Sequence, residues 1–208
     1  MKKRDRIAVQ KQIQVEFPDL EIIGTIMAIN PRGHLLSGLC FEPSGYIPDV
    51  LYITSFVMPL FVPCDHITLG LGERIRTIKN EELWDPRSKP VMTELLARIN
   101  SSVISTIRIN NELKGYVRNL EKAKSANINN HESLGYAYVL SGDYPAAFRV
   151  FEGIKKNADP TVLWQKALLG RVQTINQLLE KNPVEAEVLL SQWEAETKGN
   201  LRLNNKWG

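Results

Sequence analysis

Cysteine and histidine are scarce in this chain: Cys40 and Cys64 are its only cysteines, and it has 3 histidines among 208 residues. Two cysteines without CxxC spacing exclude a disulfide framework and a structural zinc site built from cysteine pairs. Long apolar runs are missing too. The longest, Val50–Val62, contains Thr54, Ser55 and Pro59 and falls short of the roughly 18 residues that a membrane helix needs. Charge of one sign is not in excess: 26 basic and 23 acidic residues leave a net charge of +3, so bulk charge does not mark nucleic acid as the partner. There is no Gly-x-Ser-x-Gly and no His-Glu-x-x-His, and the glycines of Gly70-Leu71-Gly72-Glu73-Arg74 lack the ending of a P-loop and the third glycine of a dinucleotide fingerprint. They read as punctuation at the end of a strand. The opening MKKRDRIAVQKQI starts positive like a secretory signal, but Gln10, Lys11, Gln12 and Gln14 replace its apolar stretch. The expected location is the cytoplasm, with thiols reduced and no membrane partner.

What is present is enough apolar material, 43% of residues, to build one large or two small cores. After a basic start (Lys2, Lys3, Arg4, Arg6) and a short helix docked by Ile7, Ile13 and Val15, residues 20–78 break into short β-rich runs. These are Glu21–Ile29 before the turn Asn30-Pro31-Arg32-Gly33, Leu35–Glu42 before Pro43-Ser44-Gly45, Val50–Val62 with Pro59 as a bulge or an end, and His66–Leu71 before Gly72. Connections this short are too small for helical crossovers, so the expectation is an antiparallel four-stranded sheet.

Helical signals take over beyond Trp84-Asp85-Pro86-Arg87-Ser88, which reads as a linker with Ser88 at the helix cap and Pro90 in the first turn. Met92, Leu96, Ile99, Val103, Leu113, Val117 and Leu120 share a stripe that Thr106 and Asn110 interrupt, which fits one long helix or two joined near residues 108–110. The fold class is thus α+β: a sheet domain over residues 1–83, then an all-α domain over 84–208 whose helices also cover the sheet.

The clearest motif is His131–Pro160. Glu132–Leu140 and Pro145–Lys155 are amphipathic runs around the turn Ser141-Gly142-Asp143, the pattern of a helical hairpin. Gly135 and Ala147 allow close approach, Gly142 allows a left-handed turn, and Asp143 with Pro145 starts the second helix. Leu134-Gly135, Tyr138, Gly142, Tyr144, Ala147 and Phe151 resemble a tetratricopeptide repeat, a helical hairpin that stacks to form a groove for partner segments. The resemblance spans residues 129–160; Ile154 and Pro160 depart from the pattern. It implies a partner-facing inner surface at Asn129, Glu132, Tyr136 and Val139, with Tyr136 either an aromatic anchor or packed on the preceding helix. Runs after Pro160, with a break at Gly170 and a new start after Asn182-Pro183, add further antiparallel helices.

One compact cluster carries reactive side chains: Cys64-Asp65-His66, with Arg74 as a neighbouring anion holder. On an extended strand Cys64 and His66 share a face opposite Asp65, and His34 or Cys40 would have to complete a metal site; a Cys–His pair is also the minimum for thiol catalysis. Lys114, Arg118 and Lys122 recur at helical spacing and, with the basic start, offer a weak nucleic-acid reading that Glu112 and Glu121 oppose. Finally, Phe56–Pro63, followed by His66, Gly72 and Arg74, resembles a strand region of uncharacterised bacterial proteins, some regarded as immunity partners of secreted toxins. Together the expectation is a protein-interaction protein, toxin-neutralising if the second resemblance holds, rather than an enzyme. No cofactor, metal or catalytic residue is assigned.

Overall fold

The computed structural model describes residues 2–30, 33–123 and 126–203. Pro31 and Arg32 of the expected turn and Lys124 and Ser125 of the expected helix end and loop lie outside them. The chain is α+β, and it divides into two compact units, residues 1–58 with 68–112 and residues 59–67 with 113–208. The expected boundary at 83/84 falls inside the first.

That first unit begins with helix α1, Lys3–Glu16, whose inward residues are Val9, Gln10 and Ile13 rather than Val15, which faces solvent. The run expected as one strand is a tight hairpin, β1 Leu20–Ile23 and β2 Ile26–Ile29, because Gly24 takes a left-handed φ of 60° and turns the chain after four residues. β3 (Leu35–Pro43) and β4 (Leu51–Pro59) follow, then two-residue strands β5 (Glu73–Arg74) and β6 (Leu83–Trp84). The sheet order is β1-β2-β3-β4-β5, with β6 also on β4; Thr54 pairs with Arg74, and Leu51 with Trp84. Pro59 ends β4, because proline has no N–H to donate to a ladder.

The strand expected at His66–Leu71 does not form. Leu71 has a φ of 51° between Gly70 and Gly72, and the Gly72 N–H donates to the Leu69 carbonyl at 2.9 Å. That turn cannot continue as a ladder.

Gly38 shows how close the sheet is built: a methyl group there would lie 2.0 Å from the Met27 carbonyl oxygen and 2.8 Å from the Ala28 Cα on the neighbouring strand. Gly38→Ala is therefore expected to force β2 and β3 apart and to cost about 1–3 kcal/mol, the range for overpacking, read as a lower urea midpoint.

Cover for the sheet comes from α1 and from a helix that changes phase midway. α2 (Lys89–Arg98) runs into a π-turn at Ile99–Val103 and then α3 (Ile104–Asn110). The extra residue in the π-turn rotates the buried face by one position, so Ile104 and Ile107 face the core and polar Thr106 is exposed. Burying each isoleucine is worth about 1.5–3 kcal/mol, which offsets one irregular turn. Ser88 is at the N-cap position, but its side chain makes no capping bond. Trp84, expected in a linker, is fully buried among Phe41, Leu51, Ile53 and Ile99, and its Nε1–H donates to the Ile75 carbonyl at 2.8 Å. The indole has more apolar area to bury than a linker position can hide.

The second unit holds α4 (Leu113–Ala123), α5 (Ile128–Leu140), α6 (Tyr144–Asn157), α7 (Leu163–Lys181) and α8 (Pro183–Asn200). The hairpin forms as its residues dictate: Gly142 is left-handed with φ 74°, and the Ala146 N–H donates to the Asp143 carboxylate at 3.1 Å. A methyl on Gly135 would meet the Phe151 ring at 2.3 Å, so α5 and α6 approach as closely as glycine permits. No break occurs at Gly170. A single exposed glycine costs a helix only about 1 kcal/mol, and Leu168, Val172 and Ile175 bury continuously across it.

Candidate functional site

The face of α5 expected to meet a partner is mostly core. Tyr136 and Val139 are 0% exposed and Glu132 is 1% exposed; only Asn129 faces solvent. Tyr136 lies against Phe151 of α6 and Trp193 of α8, with ring centroids 5.8 and 5.7 Å away. Its hydroxyl donates to Glu132 Oε1 at 2.9 Å, and Arg171 of α7 grips the same carboxylate with Nε at 2.8 Å and Nη2 at 3.0 Å. Burial, then the adjacent Glu132 charge, raises the Tyr136 hydroxyl pKa well above its ordinary value. Burial alone would lower that of Arg171, but the bond and charge of Glu132 outweigh it and raise it. This is an internal polar knot that ties α5 to α7. The inner-face reading is corrected accordingly: α7 and α8 cover what a groove would have left open.

Cys64, Asp65 and His66 converge instead of alternating. Pro59 has ended the strand, and the segment is tied to α8: the Cys64 N–H donates to Thr197 Oγ1, Asn200 Nδ2 donates to the Cys64 carbonyl, and Thr197 Oγ1 donates to the Val62 carbonyl, each at 3.3 Å. With the backbone bent, His66 Nδ1 is 2.7 Å from Asp65 Oδ1 and 3.8 Å from Cys64 Sγ, and one ligand atom from each residue lies within 4.8 Å of the others. The hydrogen bond from His66 holds the Asp65 carboxyl below its usual range. As a thiol dyad the arrangement is poor, since Nδ1 is spent on Asp65 and the thiol donates to the His66 carbonyl at 3.1 Å. As a metal locus the spacing is closer to right: tetrahedral zinc sets sulfur and nitrogen ligands about 3.5 Å apart.

Arg74 belongs to the sheet unit. Its guanidinium lies 3.9 Å above the Tyr52 ring and within 3.8 Å of Glu42 and 3.6 Å of Glu82. Cys40, the other thiol, is buried on β3, and burial followed by the Glu42 charge pushes its pKa up from 9.0 to about 11. The basic positions Lys114, Arg118 and Lys122 are all exposed on α4.

A different feature stands out in the β3–β4 connection. Tyr46 is 96% exposed and Ile47 47%, yet the loop that carries them is pinned. Ser44 Oγ accepts from the N–H of Tyr46 at 3.2 Å and of Ile47 at 3.1 Å, and the Ser44 N–H donates to the Val50 carbonyl at 3.1 Å. Asp49, left-handed at φ 64°, accepts from Arg87 Nη1 at 2.7 Å, and Arg87 also grips Asp85 through two bonds of 2.7 Å. That grip holds Asp85 below the ordinary carboxylate range. Asp49 tolerates the left-handed conformation because its short side chain serves as a local acceptor. The sequence carried a signal: two large apolar residues stand between Pro43-Ser44-Gly45 and Pro48-Asp49, where turn chemistry rules out both strand and core.

Comparison with known proteins finds no family model, no curated protein and no solved structure that matches this chain.

Proposed function

We propose that the chain is a protein-interaction protein that engages its partner through the loop carrying Tyr46 and Ile47. The observation behind this reading is a tyrosine 96% exposed on a loop already fixed at both ends. Tyrosine offers large contact area with few rotors to freeze, and a pinned loop pays little ordering entropy on binding. Leu163 and Trp164 at the start of α7 are a further exposed apolar pair, in the helical unit. If the resemblance at Phe56–Pro63 carries function with it, the partner is a toxin domain and the chain its neutraliser. Affinity isolation from the native host tests this, with the natural chain and Tyr46→Ala as parallel baits. A stoichiometric protein on the first and not on the second is expected; equal recovery on both, or none on either, would overturn the reading.

A second reading, metal binding at Cys64, Asp65 and His66, is favoured by their convergence. Cys64 is half-buried while Cys40 is buried with a raised pKa, so a thiol reagent is expected to label Cys64 first and Cys40 only on unfolding. Zinc added alone should slow the Cys64 reaction if the cluster binds it; an unchanged rate removes this reading. The sign for Cys40 follows from its raised pKa: the neutral thiol stabilises the fold fully below pH 9.0, and that contribution is lost as the pH rises toward about 11.

A further inference from the structure

The segment that carries Cys64, Asp65 and His66 is clasped by the end of one helix. Residues 59–67 belong to the same compact unit as α8, and α8 meets them near its C-terminus. Thr197, fully buried, uses a single hydroxyl twice: Oγ1 accepts the Cys64 N–H and donates to the Val62 carbonyl, both at 3.3 Å. Asn200 Nδ2 adds a third bond, to the Cys64 carbonyl at 3.3 Å. Both main-chain groups of Cys64 are therefore held by α8.

The clasp itself is fixed. Beyond Leu201, the cap of α8, Arg202 is left-handed at φ 57°; its N–H donates to the Gly199 carbonyl at 3.0 Å, and the Leu203 N–H donates to the Lys198 carbonyl at 2.9 Å. That pair of bonds is a Schellman closure. Leu203 is buried, so fraying of this end would expose an apolar side chain.

Three donor atoms of different chemistry converge on the backbone held in this way. Cys64 is half-buried, while the side chains of Asp65 and His66 are exposed, which leaves the cluster open to an ion from solvent. A sulfur and an imidazole nitrogen suit zinc. Calcium and magnesium take about six to eight oxygens, and the cluster offers one carboxylate. On zinc, Cys64 binds as the thiolate and releases its proton to solvent, His66 binds through Nδ1 with its proton on Nε2, and water fills the fourth tetrahedral position. The ligands come from three consecutive residues, so the bite of the site depends on the Cys64 backbone, which α8 sets.

We infer that Thr197 and Asn200 are positioning residues for a zinc ion held by Cys64, Asp65 and His66, so that zinc binding and docking of the α8 end reinforce each other. This rests on the metal-binding reading above and adds the regulation of that site. Zinc tightens the end of α8, and loosening that end weakens zinc by the same factor, because coupling between two equilibria is reciprocal.

Competition titration of the whole chain with zinc and a chromogenic chelator tests the coupling. One zinc per chain is expected, with Kd of about 10 µM or tighter, and Cys64→Ala should remove it. Thr197→Val, which keeps the shape but not the hydroxyl, is expected to weaken zinc about tenfold, the low end of the range for groups that orient metal ligands. Thr197→Ser should restore the natural affinity, and Asn200→Ala should weaken it by a smaller factor. Zinc should also slow hydrogen exchange of the Cys64 amide and of the amides of residues 201–203, and less so in Asn200→Ala. Circular dichroism checks folding; Asn200 is exposed, so its variant decides the matter if Thr197→Val does not fold. No zinc bound by the natural chain would overturn the metal reading and the coupling together. Zinc bound one to one, with affinity unchanged in folded Thr197→Val and Asn200→Ala or not restored by Thr197→Ser, would leave the metal reading standing and overturn the coupling.

Discussion

Glu132→Ala is expected to destabilise the helical unit by about 3–5 kcal/mol, the cost of breaking a buried ion pair by removing one partner. Glu132 is 1% exposed and accepts from both the Tyr136 hydroxyl and the Arg171 guanidinium, itself 29% exposed. Truncation strands a half-buried cation and leaves the Tyr136 hydroxyl, inside the core, with no acceptor; a buried donor without a partner costs about 1–3 kcal/mol by itself. These costs overlap and do not add. A second variant separates the charge from the packing: Glu132→Leu combined with Tyr136→Phe and Arg171→Met replaces the knot with apolar groups of similar volume. It is expected to recover most of the loss, since buried ion pairs and well-packed hydrophobic replacements often come out nearly equal. Urea unfolding followed by tryptophan fluorescence measures both, with Trp193 beside Tyr136 as a local reporter. A Glu132→Ala midpoint equal to that of the natural chain would show that the knot contributes nothing.

Tyr46→Ala should produce the reverse pattern. The side chain is 96% exposed, so its loss removes almost no packing and should leave the urea midpoint in place. Partner affinity, by contrast, is expected to fall about thirtyfold or more, the effect of losing an aromatic anchor at the centre of an interface. Ser44→Ala gives a second handle. It removes the acceptor that holds the Tyr46 and Ile47 amides without touching the anchor, so affinity should fall through lost preorganisation. A folded Tyr46→Ala chain with unchanged affinity would place the interface elsewhere.

Local chemistry made much of the fold legible. The α5–α6 hairpin follows from Gly135, Gly142, Asp143 and Pro145, each of which dictates its own backbone or close contact. The antiparallel sheet follows from short apolar runs between turn residues. Departures came where packing overrode local pattern. Periodicity assumed an unbroken helical phase, and the π-turn at Ile99–Val103 shifted the buried face from Thr106 to Ile107. The turn residues around Trp84 looked like a linker, but the indole is core. At Cys64-Asp65-His66 alternation assumed a strand, and the tie to Thr197, more than a hundred residues along the chain, bent it. Such long-range ties have no local signature.

The candidate sites were less legible for a related reason. The inner-face positions of α5 carry residues suited to binding, and the same residues suit a core; which holds depends on whether α7 and α8 close over them. They do, and Tyr136 is buried. Tyr46 belongs to no motif; its signal is an apolar residue in a stretch that turn chemistry keeps out of the core.

Hydrogen exchange of the chain, free and saturated with the isolated partner, tests the central claim most directly. The loop reading predicts that amide exchange slows over residues 44–50 on binding, with the α5 amides unchanged. Unaltered exchange across that loop, together with slowing at any other surface, would contradict it.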